Sequence, residues 1–196
     1  GLICDVRFKV LPGDDVSATF AWPASAAQAV HDFQGHRRNG LPLTGSAWAA
    51  GIAYLRVGGS AQTVKVAATR ISGDRLPSEE GELFWRDLKN QKLDVFKGQG
   101  PLWRVSTEPG SAALLDTAQV VEWGGGIRWI SNPTFDPRLK TDPQTVTLFR
   151  RKSEDSPADI RQPFQQLSAS VAEINRKLKK QFDPGLILNT GRLFEA

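Results

Sequence analysis

The sequence predicts an α+β fold: an antiparallel sheet with helices, built from two split βαβ halves. Between residues 16 and 71 the apolar pattern switches between period two and period 3.6 in the order strand, helix, strand, strand, helix. Between residues 102 and 149 the same order returns in weaker form, as an echo of element order without sequence similarity.

The elements follow in turn. "LICDVRFKVLP" alternates Ile3, Asp5, Arg7 and Lys9 against Leu2, Cys4, Val6, Phe8 and Val10, the period of a half-buried strand, and Pro12 and Gly13 stop it. A second strand is expected at 16–22. Pro23, placed at a helix start, leads into an Ala-rich helix to residue 38, with Val30 and Phe33 as apolar anchors and Asn39-Gly40 as its end. Extended runs at 43–48 and 52–57 flank a turn containing Gly51, and Gly58-Gly59 precedes a helix over 60–71. A helix over 78–90 sets Leu83, Phe84 and Leu88 on one side and Glu79 and Glu80 at its positive end.

The second half reads as a strand "LWRVST", a short irregular or helical piece near 111–117, a hairpin "QVVEWGGGIRWIS", a short helix after Pro133 and a strand "TVTLF". Together the halves suggest two ferredoxin-like units sharing or abutting one antiparallel sheet. "RKSEDSP" at 151–157 has no periodicity and is expected to be an exposed link. Phe164, Leu167, Val171, Ile174 and Leu178 then recur at steps of three and four, one stripe of a final helix.

Composition excludes several classes. With 196 residues and 40% apolar content the chain can bury one large core or two small ones. No apolar run approaches the roughly 18 to 20 residues of a membrane span, and the start "GLICDVRFKV" lacks a charged n-region followed by a long apolar h-region. The 25 basic residues are spread among 21 acidic ones, and no nucleic-acid motif accompanies them. "RKLKK" at 176–180 falls in the last turns of the final helix, where cations oppose the dipole. The single Cys4 excludes an internal disulfide, fits a reducing compartment and is read as a buried, inert thiol. Met is absent and residue 1 is Gly, so a piece of a longer chain is expected.

Catalytic constellations are sparse. His31 and His36 stand five apart, off a common helical face, and Asp32 beside His31 points elsewhere, so neither a metal site nor a Ser-His-Asp triad is expected. Gly124, Gly125 and Gly126 lie between two strands and read as a turn needing positive φ, not a phosphate cradle. Trp123 and Trp129 flank that turn as core or cross-strand aromatics. Arg128, and Arg104 after Trp103, are candidate substrate contacts able to clamp a carboxylate; solvated or salt-bridged strand arginines are the plain reading of both.

The opening "GLICDVRFKVLP" resembles the strand that closes the flavin domain in FAD-linked oxidases of the vanillyl-alcohol oxidase type. The ending "FDPGLILNTGRLF" resembles their C-terminal signature. Between these, "FWRDLK", "LWRVS", "EWGGGIRWI" and "TLFR" are similar to the FAD-binding subunits of bacterial glycolate oxidases, so the resemblance runs through the chain. It implies the end of a missing FAD-binding domain at 1–12, a cap domain at 13–158, and a helix and tail at 159–196 returning to the FAD-binding domain. Gly1, Leu2, Ile3, Asn189, Gly191 and Arg192 would line the FAD, Gly191 admitting close backbone approach and Arg192 meeting an anionic group.

The same resemblance implies oxidation of glycolate to glyoxylate with the flavin as hydride acceptor. The work would be done beside a catalytic flavin subunit and an iron–sulfur subunit, in a cytoplasmic complex that meets a membrane only through partners. This chain alone is expected neither to hold FAD tightly nor to turn over glycolate, and no catalytic residue or metal ligand is assigned to it. Thr190 stands where the family has Pro, Cys4 stands where it has Thr, and the His-x-x-His-Gly-Asp motif of related hydroxyacid dehydrogenases is missing. These departures keep open a non-catalytic subunit that assembles the complex.

Overall fold

The computed structural model describes residues 3–9, 16–98, 100–132, 144–151, 163–165 and 167–189. The chain divides into two units, one spanning Gly13–Lys152 and the other combining Gly1–Pro12 with Ser153–Ala196.

The first unit holds strands β1 (Val16–Pro23), β2 (Leu43–Ala49), β3 (Ile52–Gly59), β4 (Asp74–Arg75), β5 (Leu102–Thr107), β6 (Val120–Glu122), β7 (Ile127–Ile130) and β8 (Gln144–Arg150). Its helices are α1 (Ala26–Arg38), α2 (Ala61–Ala68), α3 (Ser78–Lys89) and α4 (Asp94–Lys97). The strands form one sheet in the order β4-β1-β3-β2-β6-β7-β5-β8. Adjacent strands pair antiparallel throughout. In the first half β3 inserts between β1 and β2, and β1 between β3 and β4, so two split βαβ units interlock. The second half repeats that order, β7 lying between β5 and β6 and β5 between β7 and β8. The halves share the sheet through the register Ala47↔Glu122, Trp48↔Val121 and Ala49↔Val120.

Local chemistry sets the boundaries. The Gln28 N–H donates to Ser25 Oγ (3.2 Å), so Ser25 caps α1 and Pro23 closes β1 instead of opening the helix. Ser60 caps α2 in the same way through the Thr63 N–H at 3.2 Å. Ala50 (φ +50°) and Gly51 (φ +83°) make the two-residue connection of the β2–β3 hairpin, both in the left-handed region that matches the twist of the strands. Glu79 and Glu80 sit in the first turn of α3.

The two sheet faces are packed by different helices. Phe20, Leu55 and Val57 meet Phe33 of α1 and Val64 and Ala67 of α2. Tyr54, alternating with those residues, stacks on Phe84 of α3 with ring centroids 3.6 Å apart, and so marks the other face. There Leu88 and Phe96 pack with Ala47, Leu102, Val120 and Trp129. Phe33 and Leu55 are 1% and 0% exposed, and each such side chain contributes about 1.5–3 kcal/mol of burial free energy.

Several expectations are corrected. Ile3–Lys9 form no strand, and Ile3 and Phe8 are 80% and 81% exposed: alternation supplies a face, but a ladder needs a neighbouring strand. Cys4 is exposed, not buried. Of the two forms expected near 111–117, irregular or helical, the 108–119 connection takes the irregular one and runs in turns. In the second unit α5 is Ala169–Phe182, so Phe164 and Leu167 precede it, and Val171, Ile174 and Leu178 of the stripe are exposed. Leu83 on α3 is exposed too, leaving Leu88 and half-buried Phe84 to pack that helix. The two-residue β4 and the single-turn α4 are additions to the sequence reading. The short helix after Pro133 and the link at 151–157, beyond Arg151 itself, lie outside the described residues.

Candidate functional site

Strand register separates the two arginines proposed as carboxylate contacts. Arg128 stands opposite Val105, and Arg104 opposite Trp129. Successive strand residues face opposite sides, so Arg104 and Arg128 project from opposite faces and one carboxylate cannot bridge them. Arg128 is fully buried: its Nη2 donates to the Ser111 carbonyl (2.6 Å) and the Gly125 carbonyl (3.3 Å). Its Nε and Nη1 have no hydrogen-bond partner among the described residues, and burial pushes its pKa down to about 10. The guanidinium thus ties the 108–119 turns and the Gly-rich turn to the sheet. Arg104, half-buried, donates from Nη1 to Ser106 Oγ (3.0 Å).

On the face of Arg104, Glu122 accepts the Trp129 indole N–H at 2.8 Å. Burial raises the Glu122 pKa, while that hydrogen bond and the charge of Arg104 oppose the rise. The Gly-rich turn adopts positive φ at Trp123, Gly124 and Gly125, as the sequence requires, though as a 3-10 turn over Trp123–Gly125. Its carbonyl at Gly124 accepts from Gln34 Nε2 (2.6 Å), and the Gly124 N–H donates to Ser46 Oγ (2.8 Å). A Cβ at Gly125 would lie 2.8 Å from Val30 Cγ1, so this close approach to α1 needs glycine.

Both histidines lie on α1. Asp32 accepts from Trp22 Nε1 (3.2 Å) and Gln28 Nε2 (2.8 Å), and His36 meets the Trp22 ring edge-on at 6.2 Å. Burial lowers the His36 pKa, with Asp32 opposing and Arg70 adding to the shift. Among the described residues no three His, Cys, Asp or Glu side chains gather as a metal site, and no helix is long and apolar enough to cross a membrane.

The tail beyond α5 is built around Asp183. Its carboxylate accepts the backbone N–H groups of Ile187 (3.2 Å) and Leu188 (2.9 Å). Lys179 Nζ reaches both that carboxylate and the Leu188 carbonyl. The Lys179 hydrogen bond, followed by the backbone N–H groups, holds the Asp183 pKa down to about 2. This hook leads into Asn189, exposed and at φ +48°. Of the other residues expected to line FAD, Ile3 is exposed, and Gly1, Leu2, Gly191 and Arg192 lie outside the described residues.

Sequence reasoning missed the clefts beside α3. One, of about 730 Å³, is bordered by α1, residues 43–46 of β2, α3 and the Trp123–Gly125 turn. A second, of about 320 Å³, lies between α3, β1 and β4. Arg56, Trp85 and Lys89 line both. Arg56 Cζ sits 5.0 Å from the centre of the Trp85 ring, while its Nε and Nη2 donate to Thr44 Oγ1 and the Thr44 carbonyl, each at 3.1 Å. Arg37, Arg56, the Trp85–Lys89 pair of α3 and Trp123, four places far apart in sequence, line the larger cleft, and no local pattern announces their meeting.

The sheet and its helices define an α+β protein with an open, eight-stranded antiparallel sheet. No family model matches the chain, and no solved structure matches it. The chain is similar to the glycolate oxidase subunit GlcE of Escherichia coli strain K12, at 26% identity over 196 residues, covering 99% of this chain and 53% of that protein. It therefore spans about half the length of the curated relative it matches.

Proposed function

We propose that the chain forms the C-terminal part of an FAD-binding subunit in a complex that oxidises glycolate to glyoxylate. The observation that carries this is the similarity to GlcE across 99% of the chain, at 26% identity. In this reading residues 13–158 form the cap, and residues 1–12 and 159–196 belong with an FAD-binding region outside this sequence. The flavin supplies the hydride acceptor. Asn189 suits a place beside it: the Asp183 hook leads into it, it is exposed, and its amide can both donate and accept a hydrogen bond. Ile3, Gly1, Leu2, Gly191 and Arg192 would complete the protein wall. The partners are a second flavin subunit and an iron–sulfur subunit, in a cytoplasmic complex whose contact with a membrane runs through those partners.

A second reading, a subunit that assembles the complex without redox chemistry, draws support from Arg128. Its Nη2 donates to two backbone carbonyls, and the guanidinium is closed to solvent. One experiment separates the two. The longer protein, carrying the region that corresponds to the other half of GlcE, is purified with its partners and assayed for flavin absorbance and for glycolate-dependent reduction of an artificial electron acceptor. Flavin found in this subunit after its separation from the second flavin subunit, and reduced in amount by Asn189→Ala, together with glycolate-dependent activity of the complex, supports the first reading. Activity of the complex with no flavin in this subunit supports the second. No activity towards glycolate sinks the first reading, and no activity towards any 2-hydroxyacid sinks the second.

A further inference from the structure

The two clefts beside α3 share a wall and are lined by more cations than carboxylates. Arg37, Arg56, Arg75, Arg86 and Lys89 line them, against Glu82 and Glu122. The Glu122 carboxylate is engaged by Trp129, and among the described residues no ion pair involves any of the five cations. Arg37 and Lys89 lie in the last turns of α1 and α3, where the helix dipole alone would explain a cation. Arg56 and Arg75 lie on strands, where it would not. Arg56 is moreover fixed in advance by Trp85 and by its two hydrogen bonds to Thr44.

The larger cleft exists because β6 ends after three residues and the chain turns away at Trp123, leaving residues 44–46 of β2 with β3 on one edge and, among the described residues, no strand on the other. Trp123 stands at its rim, 74% exposed. Size argues against a small hydroxyacid here. At about 30 Å³ of liquid volume per water-sized unit, a five-heavy-atom acid occupies roughly 150 Å³, well short of about 730 Å³. Both clefts are open to solvent, and together they run along α3, which suits an elongated ligand. Exposed Trp with Arg is the residue pairing that anchors protein interfaces.

We propose that this groove is a docking surface for an acidic peptide segment of another protein. Its carboxylates would meet Arg56, Lys89 and Arg37, and an apolar side chain would cover Trp123. Complementary charge would speed encounter and make binding sensitive to salt. The inference does not depend on the glycolate reading.

The test is fluorescence anisotropy with the full chain and a labelled Glu- and Asp-rich peptide carrying one central Trp. A peptide with Lys at the acidic positions and a labelled oligothymidylate are run beside it. Saturable one-to-one binding of the acidic peptide that weakens with salt is expected. Arg37→Glu with Lys89→Glu, both at exposed helix ends and checked for an unchanged melting temperature, should weaken it about tenfold or more. Lys65→Glu on α2, outside both clefts, should weaken it far less. The proposal is overturned if the acidic peptide does not saturate, if the double variant binds as well as the parent, or if oligothymidylate binds as tightly and displaces the peptide.

Discussion

Trp85 donates its indole N–H to Thr19 Oγ1 at 2.9 Å, and through that bond α3 is locked across β1. Thr19 is buried and is also the residue against which Gly81 packs. Thr19→Val keeps the shape and removes the acceptor, leaving a part-buried indole N–H unsatisfied. The expected cost is about 1–3 kcal/mol in chemical denaturation, with a shift of Trp fluorescence that tracks the loss. An unchanged midpoint would show that water replaces the hydroxyl.

Gly81→Ala gives the opposite of its usual effect in a helix. Replacing a helical Gly by Ala stabilises by about 1 kcal/mol, but here the new Cβ would stand 2.8 Å from Thr19 Oγ1 and 2.9 Å from Thr19 Cβ. Overpacking of this kind costs about 1–3 kcal/mol, so the clash outweighs the propensity gain and the variant should melt earlier. A higher melting temperature would mean that α3 lifts from β1 at no cost.

These two contacts show where the sequence was legible. Alternation in β1 and β3 and the apolar spacing of α1 were enough to place those three elements, because long elements repeat their signal. β4 and α4 are too short to show a period. Ile3–Lys9 show a clear period without a strand to pair with, so the pattern misleads. Arg128 shares its strand face with Ile130 and stands opposite Val105, both buried, but the 108–119 turns that close over it show no period in the sequence. The Arg56–Trp85 pair depends on where β6 stops and where α3 crosses, which lies in tertiary geometry and in no local stretch.

Arg128 tests a buried cation that meets no carboxylate among the described residues. Desolvating a charge costs several kcal/mol, and hydrogen bonds from Nη2 to two carbonyls offset only part of that. Arg128→Met keeps most of the volume and removes the charge, so its unfolding free energy should lie within about 1 kcal/mol of the parent or above it. Arg128→Ala leaves a cavity under the 108–119 turns and should lose about 2–5 kcal/mol. If Met proves as damaging as Ala, the two carbonyl contacts outweigh the desolvation, and the arginine is a stabilising clamp.

His36 predicts a pH dependence near neutrality. Burial lowers its folded pKa below the ordinary 6.5, so the unfolded chain binds the proton more readily. Its contribution is constant above about pH 6.5 and turns destabilising as pH falls through that value toward the folded pKa. Titration of the His36 ring by NMR should give a midpoint under 6.5, and His36→Gln should flatten the acid side of the stability profile between pH 7 and 5. A midpoint above 6.5 would mean that Asp32, not burial, governs the ring.

Asp183 predicts a second and more acidic transition, confined to the tail. Its folded pKa is about 2 against an ordinary 3.8, because the carboxylate form accepts from Lys179 and from the N–H groups of Ile187 and Leu188. A depressed acid contributes stability that is complete above the unfolded pKa, so the hook is at full strength above about pH 4. That contribution fades as pH falls from 3.8 toward about 2, where the folded group itself takes up the proton. Amide hydrogen exchange is the direct readout, since protection at Ile187 and Leu188 depends on the carboxylate. It should weaken across that window while the amides of β3 keep theirs. Asp183→Asn should strip at least one of the two amides of protection already at pH 7, because each carboxylate oxygen takes one of them and an amide side chain carries a single acceptor oxygen. Retained protection in the variant would show that the turn at Pro184-Gly185 holds the tail by itself.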